Sequence, residues 1–371
     1  MLSSISTSTE HAKPDVEKLR RQPDKVIPDY LTPMPSHLLT ITLSDLELCG
    51  SIESLSETTG STPLLRSRPT GSPESTPVVQ SPPALLPQGH HLVYFPIQAA
   101  PSYLAPDGAD MDHSPGVHYS RRLWAGGEVV FRGTDDNPHQ AGLVLNGQPW
   151  TCTETIGDVR VKQASAPLVD QGDEKIFVDV WRRYALGHPA GEKNLPWSIE
   201  ERRTLVFMNP GVSGDVPTDS IPKIIKSKFQ SDQNRTILDP HEAAHSVRIL
   251  PSPRHLFHFS ALTFNAHAIH LDPEYARSVD GHRAPLVHGP LTLALMLRVL
   301  TGYSGQLVSR FVYRNHAPLY VNEPLTVKVR PIPQRVGCVG RGPADGGATW
   351  DAWVEGPDGG LAVKGTATMA A

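Results

Sequence analysis

The chain has 371 residues, 39% of them hydrophobic, enough for two ordinary cores or one large one. Its 34 basic and 38 acidic residues leave a formal net charge of −4, and no Lys/Arg stripe interleaves with aromatics, which excludes a nucleic-acid groove. Three widely spaced cysteines, Cys49, Cys152 and Cys338, fit neither a disulfide framework nor a zinc site and point to a reducing compartment.

Residues 1–27 contain no apolar stretch of the length a secretory signal needs and read as a disordered N-terminus. Ser, Thr and Arg20-Arg21 suit a mitochondrial presequence, whereas Glu10, Asp15 and Glu17 do not. A first domain is expected over 28–210. It is interrupted at 51–88 by a Ser/Thr/Pro/Gly-rich stretch without periodicity, read as a flexible insertion. The segments "WAGGEVVFRG", "ETIGDVRVKQ", "KIFVDVWRRYAL" and "RRTLVFMNP" are rich in β-branched and aromatic residues between turn formers and predict strands.

Turn-forming residues dominate 211–240, which reads as a linker to a second domain over 241–371. There "HLFHFSALTF", "SGQLVSRFVYRNHAPL", "EPLTVKVRPIP", "ATWDAWVEG" and "GLAVKGTATM" predict strands, and the two halves share an element order in outline. One helix stands out. "GPLTLALMLRVLTGY" places Pro290 in a first turn, closes at Gly302 and is apolar all round, so strands must wrap it. Arg298 interrupts this longest apolar run, which is too short to span a membrane.

The segment "FSALTFNAHAIHLDPEYA", followed by "LVHGPLTLALML", resembles the MaoC-like hydratase/dehydratase superfamily. It is most similar to the branch of mitochondrial-type 3-hydroxyacyl-thioester dehydratases and mesaconyl-C4-CoA hydratases. "HHLVYFPIQ", "RRLWAGGEVVF", "GDVRVK" and "FVDVWRRY" extend the resemblance into the first half. It implies an α+β double hot-dog, two curved antiparallel sheets each wrapped around a central helix. It also implies an (R)-specific 3-hydroxyacyl-thioester dehydratase or 2-enoyl-thioester hydratase acting on acyl-CoA or acyl-carrier-protein substrates. A mitochondrial location follows from the same resemblance, with a cytoplasmic one as the alternative. A specialised metabolite pathway, a thioesterase and a non-catalytic acyl-binding protein are the alternative functions, and a homodimer is compatible with the architecture.

The same resemblance makes His270 the proton carrier, Asn265 the group that holds water where many relatives carry aspartate, and Gly289 the backbone donor for the thioester oxygen. His267 is expected to position the loop and His288 to support Gly289. Trp124 lines the acyl or pantetheine tunnel or belongs to interface core. Arg314 meets a phosphate of coenzyme A or forms a surface ion pair. Asp272 is read as a helix cap before Pro273. The H-x-x-H pair lacks the spacing and glutamate of zincins, so no metal is expected, and no dinucleotide fingerprint follows a strand, so no redox cofactor is. The first half lacks an N-x-H-x-I-H equivalent and reads as catalytically empty.

Overall fold

In a computed structural model, the described residues are 15–59, 85–132, 143–162, 174–187, 196–208, 238–333 and 347–370. The first half supplies strands β1 (Lys25–Tyr30), β2 (Arg121–Phe131), β3 (Pro149–Lys162), β4 (Lys175–Leu186) and β5 (Trp197–Met208). The second supplies β6 (His245–Ile249), β7 (Val308–Asn315), β8 (Leu325–Pro331), β9 (Thr349–Glu355) and β10 (Leu361–Met369). All ten join one antiparallel sheet in the order β1-β3-β4-β5-β2-β7-β10-β9-β8-β6. Each half therefore runs first-third-fourth-fifth-second, and the second strands of the two halves, β2 and β7, pair at the seam. The fold is the α+β double hot-dog, with its two sheets fused edge to edge.

Helices α1 (Val16–Arg20) and α2 (Pro33–Thr59) flank β1. Between β6 and β7 lie α3 (Pro253–Leu262), α4 (Ala268–Leu271), α5 (Pro273–Ser278) and α6 (Gly289–Ser304). The apolar helix of the sequence is α6. Leu291, Leu293, Leu295, Met296 and Leu297 are all buried along it. It ends at Gly305 in the left-handed region (φ 67°), three residues beyond Gly302, because a glycine takes that conformation without a Cβ penalty.

The core is shared between the halves. Leu39 and Leu43 of α2 cluster with Leu291 and Leu295 of α6, Val129 of β2 and Phe311 of β7. Polar clamps add direction: Arg298 of α6 binds Glu47 of α2 at 2.8 Å, and His255 of α3 reaches Asp45 of α2 at 2.8 Å. A leucine fully buried this way contributes roughly 1.5–3 kcal/mol.

Three expectations are corrected. The N-terminal segment taken as disordered folds over Val16–Arg20 and Lys25–Tyr30, where Leu19 and Ile27 are buried and β1 pairs with β3. Residues 51–59 of the expected insertion continue the α2 backbone, and residues 60–84 lie outside the described ones. The stretch "HLFHFSALTF" is helical as α3, with His255 and His258 on it. Ser252 and His255 form a capping box, and Pro253 occupies the first turn. Residues 211–237 of the expected linker also lie outside the described residues.

Candidate active site

The chain leaves α3 through Thr263 and Phe264, the latter held at φ 53°, a conformation that bulky residues adopt only under constraint. The constraint is visible next door. The Asn265 N–H donates to the Ser260 carbonyl at 2.8 Å, and Asn265 Oδ1 accepts from the His267 N–H at 3.0 Å. An amide whose oxygen accepts from a backbone N–H must turn its Nδ2 the other way. Asn265 lines the central cavity, and its Nδ2 has no hydrogen-bond partner among the described residues.

The single turn α4 carries His270, and the next begins at Asp272, whose carboxylate accepts from the Glu274 and Tyr275 N–H groups. Asp272 is thus the cap its sequence context indicated. His270 Nδ1 lies 2.8 Å from the Leu286 carbonyl, so Nδ1 bears the proton and Nε2 keeps its lone pair. The partly exposed ring borders the cavity. Desolvation, then the charge of His267, pushes its pKa down to about 3, which leaves the imidazole neutral.

His288 stacks on His270 with ring centroids 3.7 Å apart, and its Nε2 meets Ser260 Oγ at 2.9 Å. Burial followed by its two histidine neighbours drives its pKa well down, so it stays neutral too. It is also the N-cap residue of α6 and so supports Gly289 directly. At Gly289 a Cβ would sit 3.0 Å from Trp124 Cγ, so the indole lies against the helix start. Trp124 is pinned in turn by its Nε1–H donating to Tyr313 Oη at 2.8 Å and its carbonyl accepting from Asn315 Nδ2 at 2.6 Å. The first turn of α6, with unpaired N–H groups and the positive end of the helix dipole, faces the cavity at Gly289 and Pro290.

Sequence reasoning missed one member. Asp107, on a first-half loop, pairs with His267 Nε2 at 3.3 Å, accepts from Tyr275 Oη at 3.3 Å, and its carbonyl accepts from the Ala268 N–H at 2.7 Å. Burial raises the Asp107 carboxyl, but the His267 bond, the Ala109 N–H and Arg122 outweigh it and leave its pKa lowered. Gly108 follows at φ 80°, so close that a Cβ would lie 2.2 Å from the Ala266 carbonyl oxygen. The turn former "PDG" marks the loop in the sequence but nothing there says what it touches. His267 is buried between Asp107 and the Asn265 turn.

The cavity, about 530 Å³, brings together Asn265, His267, His270, His288, Gly289 and Trp124, with Arg314 exposed along the same space. Gly126 and Gly127 do not line it; a Cβ on either would strike Tyr313 or Arg202 backbone oxygens, so they allow close strand approach.

The model of the hydroxyacyl-thioester dehydratase type 2 family matches residues 89–321, from the first-half segment through the seam to the strand-flanking loop after β7. The chain belongs to this family. Among curated relatives, it is 30% identical to mesaconyl-C(4)-CoA hydratase of Chloroflexus aurantiacus over 286 residues, 76% of this chain and 87% of that one. It is 26% identical to the mitochondrial hydroxyacyl-thioester dehydratase type 2 of Schizosaccharomyces pombe, over 64% of this chain and 76% of that one. Among solved structures, a MaoC-like dehydratase from Phytophthora capsici covers 96% of this chain and 99% of its own at 13% identity, with a TM-score of 0.53. That likeness establishes the shared fold. Family membership makes the chain a hydro-lyase of the hydratase/dehydratase class.

Proposed function

We propose that the protein interconverts 2-enoyl and (R)-3-hydroxyacyl thioesters, with the second half as the catalytic half and the first half holding the acyl chain. One observation carries the reading. His270 commits Nδ1 to the Leu286 carbonyl and leaves Nε2 as a base beside the open first turn of α6.

In hydration, Asn265 Nδ2 and His270 Nε2 hold a water over C3. Nε2 takes one proton as the oxygen bonds to C3, and the electron pair of the double bond moves toward the thioester oxygen. The Gly289 N–H and the α6 dipole receive that charge. The imidazolium then returns the same proton to C2 from the same face, which makes the addition syn. A histidine with so low a pKa is a modest base but a strong acid once protonated, so the second transfer is steep and the first depends on the enolate charge nearby. Dehydration retraces these steps.

The substrate class draws support from the relatives, which are a mesaconyl-C(4)-CoA hydratase and a hydroxyacyl-thioester dehydratase. Exposed Arg314, which makes no ion pair among the described residues, suits a phosphate of the coenzyme A or carrier arm. A mitochondrial location is proposed on the strength of the mitochondrial Schizosaccharomyces pombe relative. No helix among the described residues is long and apolar enough to cross a membrane.

The test follows loss of enoyl-thioester absorbance with crotonyl-CoA and longer 2-enoyl-CoAs. Wild type is expected to hydrate them and His270→Ala to lose about 10²–10⁴-fold in kcat. A His270→Ala variant as fast as wild type overturns the assignment.

A further inference from the structure

The charged groups on the first-half side of the cavity are matched among themselves: Arg182 with Glu154 at 3.2 Å, Glu154 with His113 at 2.9 Å, Arg122 with Asp110 at 2.7 Å, and Arg203 with Glu201 at 2.7 Å. On the second-half side a polar atom is left over. His288 borders the cavity next to Gly289, and its Nδ1 is buried without a hydrogen-bond partner among the described residues. The other ring nitrogen fixes the tautomer. Nε2 meets Ser260 Oγ at 2.9 Å, and among the described residues that hydroxyl makes no second hydrogen bond. A serine hydroxyl has one proton to give, so with no other acceptor it donates to Nε2. His288 is kept neutral by burial, and its single ring proton therefore sits on Nδ1.

Ser260 is buried in the last turn of α3 and reaches two parts of the site at once. Its carbonyl accepts from the Asn265 N–H at 2.8 Å, while its hydroxyl holds the His288 ring. That ring stacks on His270 with 3.7 Å between centroids and 21° between planes, and Phe259 tilts against it at 5.1 Å. The stack matters because the Leu286 carbonyl holds His270 at one atom, Nδ1. One hydrogen bond leaves an imidazole free to turn about that bond and swing Nε2 away from the substrate. A flat neighbour fixed in its own plane removes this freedom, and a proton carrier misplaced by about 1 Å loses roughly 10²-fold in rate.

We infer that Ser260 is a positioning residue for the hydration step: its hydroxyl holds His288 as the Nδ1–H tautomer, and the held ring sets the plane in which His270 presents Nε2. The inference rests on the thioester hydratase reading above and adds a residue to it. Ser260 touches neither substrate nor reacting atoms, so its effect passes through His288.

The experiment measures crotonyl-CoA hydration by wild type, Ser260→Ala, Ser260→Thr, His288→Phe and the double variant that joins Ser260→Ala to His288→Phe. Ser260→Ala keeps a good helix former in α3 and is expected to lower kcat by about 10–100-fold with KM little changed. Ser260→Thr retains the hydroxyl and should recover most of that loss. Phenylalanine at 288 offers a flat ring with no nitrogen, so in that background Ser260→Ala costs nothing further. Losses that multiply in the double variant, or a Ser260→Ala enzyme with wild-type kcat, overturn the role and leave the hydratase reading standing. A wild type that hydrates no enoyl-CoA overturns that reading instead. Nitrogen NMR of the His288 ring, its signals identified by their loss in His288→Phe, then judges Ser260 alone. A proton on Nδ1 in wild type and a mixture of tautomers in Ser260→Ala is the expected result, and a proton on Nε2 in wild type counts against the inference.

Discussion

Asp107 and His267 belong to opposite halves of the chain, yet they pair at 3.3 Å beside the turn that presents Asn265 and His270. The first half lacks the histidine motif but is not idle, because its loop holds the second-half loop that carries the candidate site. Asp107 does not border the cavity, so it acts by positioning.

Removing that brace should loosen the loop without deleting a reacting group. Asp107→Ala is expected to lower kcat for crotonyl-CoA by about 10–100-fold, the range typical of groups that orient a functional histidine. Asp107→Asn, which still presents an oxygen to His267 and Tyr275, should recover part of it. Unchanged kcat in Asp107→Ala rules the brace out.

Trp124 leaves Gly289 no room for a side chain. Gly289→Ala places a methyl 3.0 Å from Trp124 Cγ, and the indole is tied to Tyr313 and Asn315, so it yields poorly. We expect destabilisation of about 1–3 kcal/mol and reduced kcat. Thermal unfolding and crotonyl-CoA kinetics check both, and a variant with wild-type kcat removes Gly289 from the reaction.

Stability should peak near neutral pH. His90, His91 and His270 have folded pKa values lowered to about 4, 4 and 3, with desolvation the largest cause in each. The unfolded chain binds their protons first, so stability is full above about 6.5 and is lost as pH falls through that value toward the folded ones. His113 works the opposite way. Its folded pKa of about 9 gives stability that is full below about 6.5 and lost as pH rises through 9. A melting temperature that rises steadily from pH 7 to 10 contradicts this assignment.

Leu43 tests whether the halves share one core. It is fully buried on α2 in the cluster that includes α6, so Leu43→Ala should cost about 2–5 kcal/mol and lower the melting of the whole molecule in one transition. Two separate transitions in denaturant, only one of them shifted, would show that the halves unfold independently.

The sequence disclosed more about strands and the apolar central helix than about joins between distant segments. β4 and β10 announce themselves through β-branched and aromatic residues, and α6 through leucines between Pro290 and Gly305. The "HLFHFSALTF" segment alternates apolar and polar residues from Phe257 to Ala261 as a strand does, and only the Ser252-Pro253 cap gives the helix away. The proposed role of His270 rests on its motif, but its tautomer was not legible there, because the Leu286 carbonyl that fixes it lies 16 residues on. Asp107 and the Arg182–Glu154–His113 cluster were illegible for a related reason. Charged residues on strands read as solvated faces until folding brings their partners together.

The seam between β2 and β7 joins two units of identical strand order, an arrangement that two identical subunits would produce about a twofold axis. A symmetric pair must accept every substitution twice. Written as one chain, each unit changes alone: one can keep the histidine motif while the other abandons it and fills the corresponding space with arginine and glutamate. A single chain thereby permits a division of labour, in which one side of the seam can vary without disturbing the groups on the other.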